Sequence, residues 1–201
     1  MKKDSIPSEK ESFVLRVKRN FFFFKNIRLI CLCAILSAMS LILGKFLQIP
    51  NPFQEFIRIS FENTPVILAG IAVGPFAGAF VGIVADLVGC FLYGYTINPI
   101  VTLGAAAVGL FAGVAAYMIR RPRIWQIILA VLLAHAVGSV LIKSLGLAAW
   151  YAASYDMGFW AFVGWRSVSY LLIAAVECLV LNTLFSHRAV LSQLERMCKR
   201  K

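Results

Sequence analysis

His135, Ser139 and Lys143 stand at i, i+4 and i+8 in one apolar run, and Arg166, Tyr170, Ile173 and Glu177 stand at i, i+4, i+7 and i+11 in the next. On a helix each set shares one face. An ionisable group at the centre of a bilayer costs on the order of 3 kcal/mol on insertion scales, so these groups must face a partner or a cavity rather than lipid. Counted from the segment that joins the two runs, His135 and Glu177 lie at similar depth, and Lys143 and Arg166 lie nearer the outside. Two antiparallel helices would thus line an outward-opening cavity, cationic at its mouth and mixed deeper in, rimmed by Trp150, Tyr151, Trp160 and Trp165. The cations suit an anionic ligand and the tryptophans suit a flat ring. The candidate substrate-binding residues are therefore Lys143, Arg166, His135, Ser139, Tyr170 and Glu177, with Arg58, Asn98 and Trp150 from the outer segments. A second reading of the same residues is an internal pair, Lys143/Glu177 or His135/Glu177, beneath an ordinary aromatic belt.

Two further acids stand in or beside an apolar stretch, Glu62 and Asp86. Asp86 continues a series of small residues spaced by four, with Gly70, Gly78 and Gly82 before it, and Ala105, Gly109 and Gly113 repeat the spacing further on. Small residues at this interval let helix backbones approach closely where lipid offers no hydrophobic drive. Gly70, Gly74, Gly78, Gly82 and Asp86 are accordingly read as helix-packing positions, with Asp86 facing protein. Glu62 opens its helix, where a carboxylate complements the N-terminal dipole, as a cap, a loop anchor or a ligand contact. Patterns of soluble and lipid-active enzymes are missing: there is no Walker A loop, no HExxH, no GxSxG and no paired-aspartate motif. A small membrane enzyme acting on lipid through Asp86 or Glu177 is the alternative class, and a lipid-interacting assembly protein without ligand is a third.

The elements that must position these residues follow from composition. The chain has 201 residues, 61% hydrophobic and 14% charged, with mean hydropathy +0.83. A spanning helix needs roughly 20 apolar residues, so the length allows about six spans and no second soluble domain. Helices are expected at 27–47, 61–73, 75–93, 99–118, 124–149 and 163–186, divided by Pro50 and Pro52, Gly74-Pro75, Asn98-Pro99 and Arg121-Pro122. The second is short for a span and is expected to tilt or to lie partly under the others. The fold class is an all-α membrane protein. A basic cytoplasmic and interfacial tail (1–26, with an anchor at Phe21–Phe24) precedes a six-helix domain (27–186), and a basic tail (187–201) follows it.

Apart from Lys45, Arg58, Lys143 and Arg166, the 20 basic residues flank spans: the N-terminal tail up to Arg28, the loop with Arg120, Arg121 and Arg123, and the C-terminal tail. The positive-inside rule then puts both termini and the 119–123 loop in the cytoplasm. The net charge of +11 is thereby assigned to topology and anionic lipid, not to nucleic acid. The five cysteines form neither a disulfide framework nor a metal site, and no motif asks for a cofactor.

The stretch RISFENTPVILAGIAVGPFAGAFVGIVADLVG, followed by NPIVTLGAAAVGLFAG, resembles the substrate-binding S components of energy-coupling factor (ECF) vitamin transporters, nearest the folate group. The likeness covers the first four helices well and the rest by topology. It implies a bundle of six transmembrane helices in the bacterial plasma membrane, with no catalysis of its own. It also implies a vitamin ligand taken from outside, a transmembrane coupling subunit and two ATP-binding-cassette ATPase subunits. Ala34 and Ala38, in AILSA, match the family's Ala-x-x-x-Ala pattern on the first helix, which implies that this face docks on the coupling subunit. The loop before the fourth helix reads LYGYTINPI, unlike the aromatic, Pro- and Gly-rich loop usual in folate-type members. The resemblance thus implies a role more firmly than one vitamin.

Overall fold

A computed structural model describes residues 26–47, 49–50, 58–118, 123–148 and 159–187. Six apolar helices succeed one another. They are α1 (Ile27–Phe46), α2 (Asn63–Ala72), α3 (Pro75–Tyr93), α4 (Pro99–Met118), α5 (Ile124–Ala148, π-helical over His135–Ile142) and α6 (Phe159–Ser186). Between α1 and α2 a two-residue ladder pairs β1 (Ile49–Pro50) with β2 (Arg58–Ile59), antiparallel, Ile49 opposite Ile59. The interfacial anchor expected at Phe21–Phe24, the basic loop and tails, Trp150, Tyr151, Cys198 and the Arg58 side chain lie outside the described residues.

Local chemistry sets the helix starts. The Asn26 side chain caps α1 by accepting from Arg28 N–H at 3.1 Å, and Asn98 Oδ1 accepts from Ile100 N–H at 3.0 Å ahead of α4. Pro75 and Pro99 occupy first-turn positions, where a missing N–H is no loss. Gly74, with φ 141°, makes the α2–α3 turn in a conformation closed to residues with a Cβ. Helix α6 runs from Phe159 rather than from 163. Trp160 is therefore a residue of α6, 81% exposed.

Five of the helices are long and apolar enough to cross a membrane, and α2, with 10 residues, is not. Successive helices alternate in direction. Gly82 of α3 meets Ala105 of α4, and Gly78 meets Gly109; Gly104 and Val108 of α4 meet Lys143 and Gly138 of α5; His135 and Ser139 of α5 meet Glu177 and Arg166 of α6. Close approach requires these glycines: a Cβ on Gly78 would collide with the Gly109 carbonyl, and one on Gly70 with the backbone of Gly109 and Gly113. Helix α2 lies in the middle and touches every other helix. Its Val66, Ile67 and Ala69 join Cys33 and Leu36 of α1, Val81 of α3, Val108 and Ala112 of α4, Val131 of α5 and Leu181 of α6 in one buried core. Large apolar side chains such as Ile35, Phe91, Leu103 and Leu171 point outward, as lipid-facing positions do.

Candidate substrate-binding site

The polar side chains gather at one end of the bundle, in two linked groups. The first lies between α2, α5 and α6. Glu177, with 0% exposure, receives Thr64 Oγ1–H at 2.9 Å on one oxygen and meets His135 Nε2 at 2.5 Å on the other. His135 Nδ1 is 3.2 Å from Ser139 Oγ, which also takes a long bond from Asn63 Nδ2 at 3.5 Å. The Tyr170 ring stacks on His135 with centroids 5.2 Å apart. The expected His135, Ser139, Tyr170 and Glu177 are thus brought together, and they close on one another as the internal-pair reading describes.

The π-helical stretch creates one acceptor in this group. Lys143 N–H bonds to the Gly138 carbonyl, five residues back, instead of the Ser139 carbonyl that an α-helix would use. The Ser139 carbonyl accepts from Arg166 Nη2 at 3.0 Å instead. Arg166 is 7% exposed, donates also to Tyr170 Oη at 3.3 Å, and lies over the Phe162 and Tyr170 rings at 5.5 and 5.1 Å. Among the described residues it has no carboxylate partner, and its buried Nε has no acceptor. Local turns of this kind are frequent at functional sites.

The second group surrounds a cavity of about 130 Å³ between α1, α2, α3, α4 and the end of α5, lined among others by Ser40, Glu62, Asn63, Asp86, Tyr93 and Lys143. Lys143 Nζ donates to Glu62 Oε1 at 3.2 Å. Thr102 of α4 donates to Asp86 Oδ2 at 2.6 Å, which ties α3 to α4 where the small-residue series ends. Lys45 lies over the Tyr93 ring at 4.9 Å, and Tyr93 Oη–H bonds to the Leu41 carbonyl at 3.1 Å.

Of the residues named from sequence, Lys143 and Glu62 line this cavity, as do Gly82 and Asp86 from the packing set, and the Glu62 side chain makes no capping bond. Asn98 caps α4 and donates to the Gly146 carbonyl at 2.9 Å, tying α4 to α5. Ala34 and Ala38 are exposed on the outer face of α1. Sequence reasoning did not find the Lys143–Glu62 pair, nor Asn63, Thr64 and Thr102. Their signal was available: Glu62, Asn63 and Thr64 are consecutive polar residues opening an otherwise apolar helix.

Residues 28–186 match the family described as ECF transporter, substrate-specific component. The chain belongs to this family. It is a multi-pass membrane protein and a component of a transporter. Among solved structures it is similar to FolT bound with folic acid, with a TM-score of 0.60 and 24% identity over 76% of this chain and 88% of that one. It is also similar to the S component of a bacterial ECF transporter, with a TM-score of 0.57 and 22% identity over 79% of this chain and 95% of that one. At such identities the likeness is one of fold. Comparison with curated proteins gives no match.

Proposed function

We propose that this S component binds an anionic, ring-containing vitamin, folate or a similar molecule, from outside the cell. It then delivers the vitamin through a transmembrane coupling subunit driven by two ABC-type ATPase subunits. The observation that carries the anionic part is the pair of buried cations, Lys143 and Arg166, at the end of the bundle where the cavity lies. Arg166 is the stronger of the two, because a buried guanidinium with donors to spare and no carboxylate among its described neighbours is an anion receptor by its chemistry. The rings of Phe162 and Tyr170 fix its plane. Helix α1 presents Ala34 and Ala38 on an exposed face, which suits close docking of a partner helix.

The test is direct. Protein purified from cells grown in rich medium carries a vitamin that mass spectrometry identifies after denaturation. Titration calorimetry with that vitamin then shows Lys143→Ala and Arg166→Ala binding about tenfold or more weakly, since a charge-assisted hydrogen bond is worth roughly 1.5–3 kcal/mol. A co-purified neutral lipid, or unchanged affinity in both variants, overturns the proposal.

A further inference from the structure

Lys143 and Glu62 differ in how firmly each is held. The Lys143 side chain is 7% exposed. It threads past α4 at Gly104, where a Cβ would collide with Lys143 Cγ. Glu62 is the movable partner, with its side chain 39% exposed. Its backbone is pinned, because the Glu62 carbonyl accepts from Ser40 Oγ at 2.6 Å. Its carboxylate, by contrast, makes no capping bond at the start of α2. Oε1 takes the lysine, and Oε2 has no hydrogen-bond partner among the described residues. Opposite it α1 carries Gly44, whose absent Cβ would come within 3.3 Å of Oε2. The pair is thus made through one oxygen only, and it borders the cavity.

We infer that Glu62 is a built-in occupant of the anion subsite: its carboxylate holds Lys143 until the carboxylate of the incoming substrate displaces it. This rests on the reading of Lys143 as a ligand contact. A buried ammonium left alone is costly, and Glu62 answers that need in the empty protein without leaving its pinned backbone. Substrate exchanges one carboxylate for another, so the charge beside Lys143 is unchanged by binding. Apparent affinity is then the intrinsic affinity multiplied by the fraction of molecules in which Glu62 has left the lysine. Glu62 therefore sets both affinity and selectivity: an uncharged ring compound cannot compete for Lys143, whereas a carboxylate can.

Calorimetry on the full-length chain in detergent tests this, with folic acid, biotin and nicotinic acid as probes and wild type, Glu62→Gln, Lys143→Met and the double variant compared. The expected result is that Glu62→Gln binds at least one probe about tenfold more tightly than wild type. Lys143→Met and the double variant should bind that probe equally weakly. If Lys143→Met weakens binding while Glu62→Gln leaves it unchanged or weaker, the role of Glu62 is overturned and the anion reading stands. If no probe binds any of the four proteins, or Lys143→Met binds as wild type does, the anion reading fails and this inference with it. Should Glu62→Gln not fold, Glu62→Asp, which keeps the charge and retracts it by one methylene, decides by the same comparison.

Discussion

At the scale of single residues, the bundle handles charge in two ways. Glu177 is enclosed, with Thr64, His135 and the helices around it supplying every contact. Glu62 is half open and answers one lysine through one oxygen. Removing one partner of an enclosed pair leaves an uncompensated buried charge or donor, at about 3–5 kcal/mol. We therefore expect Glu177→Ala to lower the thermal unfolding midpoint in detergent sharply and to reduce the yield of folded protein. Glu177→Gln, which keeps an acceptor for Thr64, should lose less, and a Glu177→Ala protein as stable as wild type would refute the structural role. The spacing of His135, Ser139, Arg166, Tyr170 and Glu177 made this cluster legible in sequence, because helical periodicity places side chains on a face whatever the tertiary fold. The partner of Lys143 was not legible. Glu62 is far away in sequence, and only the position of α2 at the bundle's centre brings it within 3.2 Å.

At the scale of elements, glycine and alanine decide which helices meet. The α3–α4 seam runs through Gly78/Gly109 and Gly82/Ala105, with no room for a Cβ at any of the three glycines. This seam was readable from spacing by four, and its partner helix was readable from the repeat of that spacing. The π-helical stretch in α5 was not, since no proline stands in it and its HAVGSVLI sequence reads as an ordinary apolar helix. Gly109→Leu should push α4 off both α2 and α3, because Gly70 and Gly78 both abut it. Overpacking of this kind typically costs 1–3 kcal/mol and occasionally more. Loss of a monodisperse peak in size-exclusion chromatography would report it, and a normal peak with normal thermal stability would contradict it. The face of α1 that carries Ala34 and Ala38 behaves differently, because both are exposed and none of the described residues covers them. Ala34→Trp should leave the isolated protein folded and ligand-competent while abolishing co-purification with the transmembrane coupling subunit. Full recovery of that subunit by the variant would show that docking uses another face.

At the scale of the whole molecule, the direction of α2 decides the topology. Its 10 residues reach about 15 Å at ~1.5 Å each, half of the roughly 30 Å hydrocarbon layer. Length alone would make it a re-entrant piece, and α3 would then run opposite to α1. The contacts place α1 and α3 side by side in the same direction: Gly89 and Tyr93, near the end of α3, meet Leu41, near the end of α1. The chain must therefore return across the bundle between Phe46 and Pro75. It does so with α2, whose start is fastened to α1 by Ser40 and whose end turns at Gly74 into α3. A short crossing is tolerable there because α2 is enclosed by the other helices, and its ends meet protein groups rather than lipid. We propose on this basis that the chain makes six passes with both ends on one side, and the positive-inside rule applied to the basic residues of the sequence makes that side the cytoplasm. Reporter fusions after residue 121 and at the C-terminus should both read cytoplasmic, and a fusion near Asp156 should read external. A C-terminus that reads external would refute the six-pass reading.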